Sequence, residues 1–359
     1  MKKMTLSNFV LFAAFSISCS ACNSEPRPAA SDKPVIPANL VVIDDEVDQA
    51  WAKMAQQNLA LLSQKKYDEL EKIATSLRKS GESFPSGKWK LDTFYNSFYK
   101  ERRVYSERLK EDDYQNRFGL IQAWVSAKPQ SVTAKVALAG LYCKYAWFAR
   151  GGGYANKVSD NGWRLMAERN AAALKTLQEA LALAEKDPHA YYLMLQIAKD
   201  ESYDDAKYAQ IFNESITRFP HYKPAYFAKV LDLQPRWGGQ DGEWEQFIKE
   251  SADKVGGVEG DKFYAQLVWA VEYTHWYHQE IIFKEFQLDY PRVKRGMDSL
   301  RAQYPDSMSL ASQYCNLASR AGDKVTAIKL FKELAGRVDK EAWSNEETYE
   351  YWRHAMCEN

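Results

Sequence analysis

Apolar residues recur at helical spacing along almost the whole of this chain, and proline, glycine and short polar turns cut the pattern into segments of helix length. The stretch from Pro188 to Gly239 shows it most clearly. Tyr192, Leu195 and Ala198 mark one helical face, and Tyr208, Phe212, Ile216 and Phe219 mark the next. Pro220 and Pro224 cannot sit inside a helix, so a new hairpin begins there and ends on a tight Trp237-Gly238-Gly239 loop. Two antiparallel helices joined by a short polar turn are the unit from which α-solenoids are stacked.

The same grammar covers residues 44–359. Asp44 is the predicted cap of a first helix carrying Val47, Trp51, Met54 and Leu62. A second helix begins near Lys66 with Tyr67, Leu70, Ile73, Ala74 and Leu77, and stops at Ser80-Gly81. Phe84-Pro85-Ser86-Gly87 reads as a turn, and Trp89, Leu91, Phe94, Tyr95 and Phe98 carry a third helix. Phe118–Trp124 and Ser131–Trp147 form a hairpin broken at Lys128-Pro129, and Trp163–Glu185 is a long Ala/Leu-rich helix. Further helices are predicted over 242–254, 262–287, 293–303 and 308–321. In the last hairpin Gly322, Ala327 and Phe331 match the turn glycine, small residue and buried ring of a tetratricopeptide second helix. Pro188 and Pro220 lie 32 residues apart, near that family's period of about 34, but the other prolines do not keep the period. The expected fold is all-α: an irregular, tetratricopeptide-like helical-hairpin array, an α-solenoid.

The N-terminus follows a different logic. Lys2 and Lys3 precede an apolar run, Phe9 to Ile17, of signal-peptide length and too short to span a bilayer. Ser20-Ala21-Cys22 resembles a bacterial lipobox, although Cys19 stands where that pattern prefers Leu or Val. Residues 1–21 are therefore expected to be a signal peptide and Cys22 the lipidated first residue, with an ordinary secretory peptide cut near Ala21 as the alternative. Acyl chains contribute about 0.8 kcal/mol per buried methylene, so several would anchor the chain permanently. Asn23 is not the Asp that retains lipoproteins in the inner membrane, which points to the outer membrane, facing the periplasm. Residues 22–43, with Pro26, Pro28, Pro34 and Pro37, read as a tether reaching up to about 50 Å.

Charge narrows the function classes. Without Lys2 and Lys3 the chain carries 46 basic against 48 acidic residues, interleaved rather than clustered, so nothing resembles the basic stripe of a nucleic-acid binder. Aromatic residues make up 14% of the chain, enough to fill the gaps between many helices.

Four ordered blocks carry a family resemblance: YDELEKIATSLRKSGESFPSGKWKLDTFY, AWFARGGGYANKVSDNGW, LQPRWGG and YPRVKRGMDSLRAQYPDSMSLASQYCNLASRAGDKVTAIKLF. Together, over most of residues 65–353, they resemble a bacterial family of tetratricopeptide-like proteins whose function is not established. The resemblance implies an all-helical fold and no activity.

Candidate chemistry concentrates in two glycine loops. Arg150-Gly151-Gly152-Gly153 follows a helix and lacks the Gly-Lys-Ser/Thr of a phosphate loop, so it is either a helix stop or a nest of backbone N–H groups for an anion. Arg236-Trp237-Gly238-Gly239 has the same form. If the two loops meet, they make an Arg/Trp-lined binding surface. Glu272, His275 and His278 fall on one helical stripe, but surrounding aromatics favour an interior helix over a metal site. No cofactor is implied. His189, His221 and His354 read as surface or capping residues, and Cys143 and Cys315 as buried apolar positions beside Cys357. Hydrolase and redox motifs are missing, which argues against a familiar enzyme. The expectation is a lipid-anchored, periplasm-facing scaffold for a protein or peptide partner. The alternatives are a binder or enzyme for an envelope saccharide or anion using the Arg150 and Arg236 loops, and an immunity-type inhibitor of a toxin.

Overall fold

The structure is a computed structural model and describes residues 40–99, 109–274 and 282–357. The expected signal peptide, Cys22, most of the tether, His275 and His278 lie outside the described residues, as does the side chain of Glu272.

Helix dominates, as the periodicity requires. The helices are α1 (Glu46–Ser63), α2 (Tyr67–Ser80), α3 (Lys90–Asn96), α4 (Glu111–Ala127), α5 (Val132–Arg150) and α6 (Asp160–Ala182). Then come α7 (Pro188–Asp200), α8 (Asp205–Arg218), α9 (Lys223–Asp232), α10 (Glu243–Val255) and α11 (Gly257–Thr274). The chain closes with α12 (Ile282–Glu285), α13 (Tyr290–Gln303), α14 (Met308–Ala321), α15 (Lys324–Leu334), α16 (Lys340–Trp343) and α17 (Glu346–Cys357). Two short strands, β1 (Val41–Ile43) and β2 (Arg337–Asp339), and single 3-10 turns at Ala155–Lys157 and Pro235–Trp237 accompany them.

Local chemistry sets most boundaries. Ser131, Ser159, Asp204 and Ser307 each accept a hydrogen bond from a backbone N–H in the first turn of the following helix. Asp45 rather than Asp44 caps α1, its carboxylate accepting from Asp48 N at 2.8 Å. Pro188 starts α7 at the one place where a missing N–H costs nothing. Gly81 and Gly322 close α2 and α14 in the left-handed conformation. The helix expected over 262–287 begins earlier, α11 starting at Gly257, and by Phe286 the chain has left α12.

The helices pack into two large cores. The N-terminal core gathers Leu70, Phe94, Phe98, Ile121, Trp124, Leu141 and Leu177 from α2–α6. The C-terminal core gathers Trp244, Ile248, Val268, Met297, Leu317, Trp343 and Tyr349 from α10 onward. A smaller cluster of Leu195, Tyr208, Phe212 and Ala225 lies on the intervening hairpins. In the last hairpin Ala327 and Phe331 are buried at the tetratricopeptide positions.

One correction concerns the chain's ends. Residues 41–43, read from sequence as the end of the tether, form β1 and pair in parallel with β2, Val42 opposite Val338 and Ile43 opposite Asp339. Glu46 then accepts from the hydroxyl of Ser307 and, at 3.2 Å, from Ser309 N at the start of α14. From there α1 runs about 27 Å at 1.5 Å per residue and delivers Leu61 and Leu62 to the N-terminal core. The array is therefore clasped end to end.

Candidate binding surface at the glycine loops

The two glycine loops, 86 positions apart in the chain, meet through the C-terminus of α7. Lys199, the penultimate residue of α7, holds its ammonium 4.0 Å from the ring centre of Trp237 and 5.4 Å from that of Trp147. Its neighbour Asp200 joins both sides. One carboxylate oxygen accepts from Lys199 Nζ at 2.9 Å, and the other from Trp147 Nε1 at 2.7 Å. The lysine and aspartate side chains are only 8% and 2% exposed, so this pair is locked rather than solvated.

The stack continues in both directions. Trp147 lies one turn before Arg150 on α5, and the Arg150 guanidinium sits 5.0 Å from its ring. The other face of that contact is Trp163 on α6, at 5.1 Å. Beyond Trp237, the Arg236 guanidinium is 5.8 Å from the indole. Trp163, Arg150, Trp147, Lys199, Trp237 and Arg236 thus form a ladder of alternating rings and cations. Each step contributes about 0.5–1 kcal/mol at the surface and up to ~2 kcal/mol where water is excluded, as at Lys199.

The glycines shape the loops that end the ladder. Gly151 stops α5 at φ +74° while its N–H donates to Trp147 O. Gly239 approaches the backbone so closely that a Cβ there would lie 1.9 Å from Leu233 O, so no other residue fits. Arg150 also closes its own loop, donating to the carbonyls of Gly151 at 3.0 Å and Gly153 at 2.9 Å. That loop therefore turns carbonyl oxygens toward a guanidinium, which is the opposite of an anion nest.

The outward faces are aromatic. Phe148, Tyr154, Trp163 and Trp237, four of the large exposed hydrophobic residues, all belong to these loops and the helix ends beside them. The expected residues Arg150, Gly151, Gly152, Gly153, Arg236, Trp237, Gly238 and Gly239 are thus brought to one surface. Trp147, Trp163, Lys199 and Asp200 were not singled out in the sequence, although Trp147 stands three positions before Arg150 on the same helix.

A second concentration of polar groups lies inside the N-terminal core, and it corrects the reading of His189 as a surface or capping residue. His189 is fully buried at the start of α7. Its Nε2 is 2.8 Å from the Tyr99 hydroxyl and its Nδ1 2.8 Å from the Tyr222 hydroxyl. Next to it Asp187 accepts from Tyr95 Oη at 2.5 Å, from Arg78 Nη1 at 2.6 Å and from His189 N at 2.8 Å. Arg78 reaches Thr133 and Glu185 as well. Burial pushes the Tyr95, Tyr99 and Tyr222 phenols well above the ordinary tyrosine value, so all three stay protonated. Tyr95 donates to Asp187, whereas at most one of Tyr99 and Tyr222 donates to the His189 ring and the other accepts from its N–H. Buried except at Glu185, the network braces α2, α3, α5, α7 and α9.

The thiols are equally reserved. Cys143 and Cys315 are buried, Cys357 is exposed, and no disulfide joins the described cysteines. Burial pushes the Cys143 thiol up to about 12 and Cys315 well above the usual range. No group of three His, Cys, Asp or Glu side chains that could hold a metal ion occurs among the described residues. Nor is any described helix long and apolar enough to cross a membrane.

No curated protein matches this chain, and no solved structure does. Residues 54–205, from within α1 to the first residue of α8 and including the ladder as far as Lys199 and Asp200, match a domain of unknown function, DUF4034.

Proposed function

We propose that this chain is a helical scaffold that binds a protein or peptide through the aromatic surface at its glycine loops. The carrying observation is the Lys199 ammonium held between Trp147 and Trp237 by a buried Asp200. A rigid aromatic surface of tryptophan, tyrosine and arginine is the composition of interface hot spots, because those side chains bring large area at little entropic cost. Soluble proteins seldom leave grouped aromatics exposed without a use for them. The pattern around Cys22 supports the second half of the reading, a lipid anchor holding the scaffold at the bacterial outer membrane on the periplasmic side.

The test is site-specific photo-cross-linking in intact cells, with the probe at Trp237 and a control probe on the exposed Val325. One dominant protein adduct at Trp237 and none at Val325 is the expected result. Equal capture at both positions, or none at either, refutes the binding surface. Replacing Cys22 with Ser should release the chain from the membrane fraction; unchanged membrane retention refutes the anchor.

A further inference from the structure

Where the clasped array brings its two lobes together, a cleft of about 510 Å³ opens. Its walls include Phe84 from the turn after α2, Lys223 from the start of α9, Lys262 and Phe263 from α11, and Tyr304 at the end of α13. The turn and α11 are tied together through Gln266, whose amide nitrogen reaches Pro85 O at 3.4 Å.

The charge balance of this cleft is uneven. Lys223 Nζ donates to the Gln266 carbonyl at 2.6 Å and stands 5.8 Å from the Phe263 ring. Both neighbours are neutral. The lining carboxylate is Glu259, which is 73% exposed at its side chain and bonded to Lys262 at 2.8 Å. Lys262 is itself largely sheltered, at 15% exposure. Two sheltered ammonium groups therefore share one solvated carboxylate, and Lys223, the deeper of the two, is paired with an amide. Burying a cation beside a neutral partner is expensive, and burial brings the Lys223 ammonium down to about 8. Glu259 acts against that shift and Lys262 adds to it. His221 and Tyr304 complete the titratable lining.

We propose that this cleft is a binding site for a small ligand with an oxyanion, a carboxylate or a phosphate, joined to an apolar group. The oxyanion supplies the counter-charge that Lys223 lacks, with Lys262 as its second cation. Phe84, Phe263 and Tyr304 face the apolar part. Such division between a few polar groups that orient and aromatic walls that bury is characteristic of small-molecule sites. The site is separate from the aromatic surface and does not depend on it.

Protonation sets the sign of the pH response. Below about 8 Lys223 is charged and attracts the anion; above it the amine is neutral and the attraction is lost. Binding an anion stabilises the charged form, so near that pH the complex takes up protons.

The experiment is calorimetric titration of the folded chain with benzoate, phenyl phosphate, inorganic phosphate and the uncharged benzyl alcohol. At least one aryl anion should bind saturably, and benzyl alcohol at least about tenfold more weakly, which is about 1.4 kcal/mol. Affinity should fall about tenfold on Lys223→Met and on moving from about pH 7 to about pH 9.5, while Lys223→Arg keeps most of it. The stronger of benzoate and phenyl phosphate identifies the oxyanion. Failure of both aryl anions to bind overturns the proposal. So does binding that Lys223→Met leaves unchanged, which would mark an adventitious ion only. If Lys223→Met does not fold, the pH dependence of the unsubstituted chain and the Lys262→Met variant decide in its place.

Discussion

Two buried acidic sites in this molecule solve the same problem in opposite ways. In the N-terminal core Asp187 receives Tyr95, Arg78 and the His189 N–H, so its charge is compensated by a guanidinium and two further donors. At the clasp Asp339 is also fully buried and accepts from Glu341 N at 2.8 Å, but its second oxygen has no partner among the described residues. Burial, with Asp45, Glu341 and Asp48 nearby, pushes Asp339 well above the ordinary carboxylate value, and burial raises Asp45 as well. A buried charge binds its surroundings together only when the surroundings answer it; otherwise it waits for a proton.

The largest expected effect breaks the compensated site. Asp187→Ala leaves the Arg78 guanidinium buried without its carboxylate and should cost about 3–5 kcal/mol in denaturant unfolding. A loss below about 1 kcal/mol would show that Glu185 alone holds Arg78. Next, Gly87→Ala places a Cβ within 2.6 Å of the Gln266 side chain at a backbone φ of +85°. It should destabilise by about 1–3 kcal/mol and weaken anion binding in the cleft, measured by thermal unfolding and calorimetry. The uncompensated site should respond in the other direction. Asp339→Asn keeps a capping side chain while removing the charge, and should stabilise the fold by about 1–2 kcal/mol at neutral pH.

The pH dependence separates the two sites further. A carboxyl whose folded value is raised contributes stability in acid, fully present below its unfolded value of 3.8 and lost as pH climbs through the folded value. The gain from Asp339→Asn should therefore vanish as the pH approaches about 4. A gain that is independent of pH would mean that shape, not charge, is at issue. The smallest effect is chemical. Brief alkylation of the native chain should modify Cys357 and spare Cys143 and Cys315, read by peptide mass mapping, because among the described cysteines only Cys357 is exposed.

These contrasts mark how far the chain could be read in advance. The helical-hairpin architecture was legible because each turn announces itself: Gly81 after α2, Pro188 at α7, Gly322 after α14. The glycine loops were legible as loops, and their meeting was posed as a condition. What joins them was not legible. Lys199-Asp200 is an ordinary pair at a helix end, and only the packing of α5 against α7 turns it into a bridge between two indoles. His189 misled for a related reason: a residue after a proline at a helix start is usually wet, but here α3 and α9 close over it with Tyr99 and Tyr222. The strand Val41–Ile43 is short, and its partner lies nearly three hundred positions away, beyond any local pattern.

That strand has a mechanical consequence. A pull on the chain upstream of residue 40, directed back along β1, loads the rungs of the β1–β2 ladder in shear. The Glu46 contacts to Ser307 and Ser309 lie immediately behind as a second restraint. Tension entering at that end therefore reaches the C-terminal lobe before it passes along α1, and the N-terminal core that α1 feeds sits downstream of the fastening.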